Sequence, residues 1–143
     1  MIVVDDQLLF DLLADEQPDN LIENAGQGVA TTFSWYYRLA RAIAADRIEG
    51  ALSRRFAGLA DNRQSQVRSQ LDDLSTIEIV GAKELVPVMS ALATVTSVNL
   101  LTADAVATAL ILDAPILVST RSELLNRAAA VAGVPTQLID HTG

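Results

Sequence analysis

The stretch Ile2-Val3-Val4-Asp5-Asp6-Gln7-Leu8-Leu9 sets the reading of the whole chain. Three β-branched residues end in two aspartates, and leucines then recur at positions 8, 9, 12 and 13, which is helical spacing. The run is therefore a buried strand with Asp5 at its carboxyl end, and a helix starts near residue 6 and ends at Gln17-Pro18-Asp19-Asn20. The same grammar returns further on. Ile77-Glu78-Ile79-Val80, closed by Gly81, reads as a strand, and residues 84–93 as a helix with Pro87 in its first turn. Thr102 is an N-cap for a helix over 103–112. Pro115-Ile116-Leu117-Val118-Ser119 is a further strand, Thr120-Arg121-Ser122-Glu123 fits a capping box opening a helix over 123–132, and Gly133 ends it. Thr136-Gln137-Leu138-Ile139 is a short last strand.

Between these units the chain is helical. Residues 24–30, with Gly26 and Gly28, read as a loop. A helix from Thr31 to Asp46 carries Phe33, Tyr36, Tyr37, Ala40 and Ile43 roughly on one side, and two more follow at about 49–59 and 62–73. Strands alternating with helices predict a three-layer α/β/α domain with a central, mainly parallel sheet. The 143 residues are one domain, half of them hydrophobic, with a mean hydropathy of +0.30.

Composition narrows the chemistry. With no cysteine there is no disulfide, thiolate metal site or cysteine nucleophile, and the one histidine, His141, cannot supply a multi-histidine centre. A metal would have to be held by carboxylates. The net charge of −8 argues against holding nucleic acid through overall charge. The distribution is uneven, however: residues 1–23 hold seven acids and no base, whereas residues 38–68 hold seven arginines against Asp46, Glu49 and Asp61. That basic stretch is either a set of solvated helix faces or a surface for RNA or a partner. The start has no basic leader, and the longest uncharged stretch, Leu85 to Ala103, is too polar to cross a membrane, so a soluble cytoplasmic protein is expected.

In an open parallel sheet the ligand site lies beyond the carboxyl ends of the strands. Asp5, Asp6, Asp104 and residues 120–123 converge there if the first and third of these strands are close. Clustered carboxylates are tolerated mainly around a hard cation such as Mg²⁺ or Mn²⁺. Each acid also has a structural role open to it: Asp5 or Asp6 caps the first helix, Asp104 favours the positive end of its own helix, and Glu123 completes a capping box.

These residues carry a resemblance. Ile2-Val3-Val4-Asp5, the segment Leu101 to Ala109, Ala114 to Thr120, and the strand and helix from Ile77 to Leu92 resemble PIN domains. Those are small α/β ribonucleases dependent on Mg²⁺ or Mn²⁺, many of them toxins of bacterial toxin–antitoxin pairs. The resemblance implies catalytic roles for Asp5 and Asp104, a metal held by Asp5, Asp104 and Asp6, and contacts to RNA or a partner from Arg38, Arg41 and Ser122. It also implies a homodimer and an antitoxin-like protein partner. The family's second acid, a glutamate, is replaced here by Trp35, and its fourth, an aspartate, by Ser122, or by Arg121 if the match slips by one. Gln7 matches its small polar residue two after the first aspartate. Two functions follow: a metal-dependent ribonuclease with a weakened acidic site, or a catalytically inactive PIN-like binding module for a protein partner, RNA or itself. The opening Val3-Val4-Asp5-Asp6-Gln7 also resembles a response-regulator receiver domain. That reading fails, because Asp46 follows a helical run and the sole lysine, Lys83, precedes Glu84.

Overall fold

Three consecutive apolar residues at positions 2–4 are buried together only if both faces of their strand are covered, and this is how they are used. The computed structural model describes residues 1–18, 21, 26, 28–45 and 47–139. Strand β1 (Ile2–Val4) leads into α1 (Asp6–Leu13). Next come β2 (Val29–Ala30), α2 (Phe33–Ala44), α3 (Ala51–Ala57), α4 (Asp61–Asp72) and β3 (Ile77–Glu78). The chain continues through α5 (Ala82–Ala93), α6 (Leu100–Leu112), β4 (Ile116–Val118), α7 (Glu123–Ala132) and β5 (Thr136–Leu138).

The five strands form one parallel sheet in the order β3-β2-β1-β4-β5. Side chains alternate across it, as the pleat requires. Ile2, Val4 and Leu117 face a core built with Leu8 and Leu9 of α1, Leu39 of α2, Phe56 of α3 and Val67 of α4. Val3, Ile116 and Val118 face the opposite core, with Val106 and Ala109 of α6 and Leu125 and Ala128 of α7. Register agrees with this division, since Val3 pairs with Ile116 and Val4 with Leu117. Helix α5 packs on α6 through Val80, Leu85 and Ala107. The expected three-layer α/β/α architecture is present.

Several boundaries differ from the sequence expectation. Val29 and Ala30, expected in a loop, are β2, and the Thr31 hydroxyl donates to the Val4 carbonyl at 2.8 Å. Two residues are too few to show a period. Strand β3 stops at Glu78, leaving Val80 to pack under α5. Helix α1 ends at Leu13, and α2 occupies 33–44, with Asp46 outside the described residues. The buried stripe of α2 is Trp35, Leu39 and Ile43, so Phe33 and Tyr37 point outward. Helix α5 starts at Ala82, which places Pro87 in its second turn. Both Pro87 and Lys83, whose carbonyl loses its partner, lie on the exposed side where water can bond that carbonyl. Asn99, not Thr102, caps α6, its side chain accepting from Thr102 N at 2.8 Å. Ser122 caps α7, and Glu123 makes an exposed ion pair with Arg121 at 3.0 Å in place of the capping box. No helix of the described residues is long and apolar enough to cross a membrane.

Candidate functional site

The chain leaves β1 and β4 side by side, at the point where strand order reverses, and the crevice of a parallel α/β sheet opens there. A cleft of about 620 Å³ occupies this place. Asp5, Asp6, Arg38, Arg41 and Ser122 all line it, together with Trp35, Glu49 and Arg121. Leu52, Leu101 and Leu125 supply apolar wall. Of the expected meeting of Asp5, Asp6 and Asp104 with residues 120–123, the cleft brings together Asp5, Asp6, Thr120, Arg121 and Ser122, with Ser119 added, and leaves out Asp104 and Glu123. Glu49, expected at the start of a helix over about 49–59, lies in the loop before α3, and a lone acid there carries no signal of a site.

Asp5 is buried at the junction of β1 and α1 and is fully engaged. One carboxylate oxygen accepts from Leu8 N at 2.9 Å and so caps α1; the other accepts from Ser119 N and Ser119 Oγ, at 2.8 and 2.7 Å. Burial pushes its pKa up, against the lowering effect of those hydrogen bonds. Asp6 accepts from Gln7 N at 2.9 Å and faces Arg38, whose Nε lies 3.4 Å from its second oxygen. Burial raises the Asp6 pKa as well, the negative charge of Asp5 adds to the rise, and Arg38 opposes it.

Asp104 is turned elsewhere. It sits in the second turn of α6, buried, and does not line the cleft. One oxygen accepts from both Ser34 N and Ser34 Oγ, at 3.1 and 2.7 Å, and the other from Thr108 Oγ1 at 3.4 Å. Ser34 N is a first-turn amide of α2, whose N-cap Thr32 already accepts from Trp35 N at 3.0 Å. Asp104 thus places its charge at the positive end of α2, not of its own helix. A carboxylate that bonds an amide 70 residues away in sequence gives no local signal.

A divalent ion held as the PIN resemblance implies needs several carboxylate or neutral oxygen donors aimed at one point. Among the described residues no group of three His, Cys, Asp or Glu side chains is placed to share an ion. Asp5 is committed to three donors, Asp6 is neutralised by Arg38, and Asp104 caps α2. Trp35 and Ser122, which the resemblance matches to the family's other two acids, both line the cleft and neither is a carboxylate. The donor set does not fit a resident Mg²⁺ or Mn²⁺.

No family model matches the chain, and no curated protein does. Among solved structures it superposes on VapBC-1 from nontypeable Haemophilus influenzae, covering the full length of both chains, with a TM-score of 0.59 and 13% sequence identity. The fold is PIN-like. At that identity the likeness is one of fold.

Proposed function

We propose that this chain is a catalytically inactive PIN-like binding module that holds RNA in the cleft without cleaving it. The observation that carries the reading is the commitment of its acids: Asp6 to Arg38, Asp5 to Leu8 and Ser119, and Asp104 to Ser34. Two-metal hydrolysis requires carboxylates free to clamp ions around a phosphodiester. With Asp5 and Asp6 so engaged, the cleft presents Arg41, which makes no ion pair among the described residues. Arg41 supplies a phosphate contact, Arg38 adds its charge beside Asp6, and Ser122 and Arg121 also line the cleft. Such contacts give affinity that falls with salt and varies little with sequence.

The full-length likeness to VapBC-1 supports a relationship to the proteins of toxin–antitoxin pairs and favours a second reading. In it the chain is a weakened Mg²⁺- or Mn²⁺-dependent ribonuclease, a homodimer with an antitoxin-like protein partner. The two readings separate in one experiment. A labelled single-stranded RNA is incubated with the protein in EDTA and in Mg²⁺, and both retention and length are followed. The binding module retains intact RNA in both buffers, and Arg41→Ala lowers the salt slope of binding by about 0.7. Cleavage in Mg²⁺ that Asp5→Asn abolishes would replace this reading with the nuclease.

A further inference from the structure

Four aromatic residues crowd the start of α2, and the fold divides them. Trp35 is buried beside the cleft, and Tyr36 is half-buried with its hydroxyl donating to the Leu71 carbonyl at 2.9 Å. Phe33 and Tyr37 are the outward pair, 64% and 56% exposed. Their rings lie parallel, 5° apart in plane, with centroids separated by 6.4 Å. Residues four apart share a helix face, so the stripe that starts with Phe33 and Tyr37 continues to Arg41. Arg41 is exposed and makes no ion pair among the described residues, and Arg38 follows Tyr37 directly. Helix α2 carries these two arginines and no acid, and both reach the cleft.

We infer that the Phe33–Tyr37 pair is a stacking platform for the bases of a single-stranded RNA whose backbone passes Arg41 and Arg38 into the cleft. The inference rests on the reading of the cleft as a surface that holds RNA, and it adds a second site outside that cleft. Only unpaired bases present a free face, so the platform selects single strands over duplex. Parallel rings beside a cationic track are the combination that single-strand binders use, since every base has a face to stack and every nucleotide a charge to neutralise. A protein partner would also cover two exposed rings. It would then need an acid opposite Arg41, since Arg38 already faces Asp6, whereas an RNA strand brings base face and phosphate in every unit.

The test is fluorescence anisotropy of a labelled short polyuridine RNA with the full chain and single variants. Phe33→Ala and Tyr37→Ala each weaken binding at least about five-fold and leave the salt slope unchanged. Arg41→Ala weakens binding and lowers that slope by about 0.7. Phe33→Trp retains affinity, and its added fluorescence is quenched as RNA binds. If the alanine ring variants bind as tightly as wild type while the arginine variants lose affinity, the platform falls and the cleft reading stands. If wild type itself does not bind, both fall. A wild-type dimer that Phe33→Ala dissociates, with RNA affinity unchanged, would make the face a contact between copies and overturn the inference.

Discussion

Replacing Asp104 by alanine removes the acceptor of two hydrogen bonds from Ser34 and one from Thr108, in a site where the carboxylate is 3% exposed. The Ser34 amide is a first-turn donor of α2 with no other partner offered by the helix itself. Leaving a buried donor unsatisfied costs about 1–3 kcal/mol, and losing a negative charge at a helix N-terminus costs a further ~0.3–1 kcal/mol. The Ser34 and Thr108 hydroxyls can rotate toward other acceptors, so the amide and the dipole dominate. The expected loss is about 1.3–4 kcal/mol for Asp104→Ala, and roughly half of that for Asp104→Asn, which keeps one acceptor oxygen. Urea unfolding followed by circular dichroism measures both. A double-mutant cycle with Ser34→Ala isolates the hydroxyl contact, since the backbone amide of residue 34 remains, and should return a coupling of about 0.5–1.5 kcal/mol. The reasoning is refuted if Asp104→Asn leaves stability within about 0.5 kcal/mol of wild type but abolishes an RNA-cleaving or ion-binding activity. Asp104 would then be a ligand and not a cap.

Arg55→Ala should destabilise the protein by about 1–3 kcal/mol in the same assay, since it removes a guanidinium that pairs with buried Asp11. The same change removes a 2.9 Å bond to Gln7 and a cation–ring contact 4.5 Å above Phe10. Thermal unfolding across acid pH should reveal Asp5 and Asp6. Both carboxyls have folded pKa values raised above the ordinary 3.8, so the folded state binds more protons than the unfolded chain between 3.8 and the raised values. Their contribution to stability is therefore greatest below that window and falls as pH rises through it. Asp6→Asn should flatten this component, and an unchanged pH profile in the variant would contradict the assignment.

The strands were legible in the sequence where the chain wrote them as apolar, mostly β-branched runs. Ile2-Val3-Val4 and Ile116-Leu117-Val118 are apolar at every position because both faces of the central strands are covered, and the alternation with helices then fixes a parallel sheet. Strand β2 was not legible, since its two residues are held by neighbours on both sides and not by local preference. Pro87 misplaced the start of α5 because a proline normally marks a first turn, and solvent exposure relaxes that rule. The cleft was legible from Asp5 and from the segment after β4 as a consequence of topology. Asp5 and Asp6 face it as expected, but the turning away of Asp104 was not legible. Asp104 and Ser34 meet only through the packing of α6 on α2, and the Asp6–Arg38 pair joins the first turn of α1 to the middle of α2. Similarly, the four aromatics of α2 share one stretch of sequence, and only the rotation of the helix separates the core pair from the outward pair.

The central claim is that the acids of this PIN-like cleft are satisfied within the protein and hold no catalytic ion. Isothermal titration of Mn²⁺ into the wild-type chain and the Asp5→Asn variant, at low ionic strength, tests it most directly. The account predicts no saturable binding to either protein in the micromolar to millimolar range. Saturable binding by wild type that Asp5→Asn removes would contradict it and return the cleft to the metal-dependent ribonucleases.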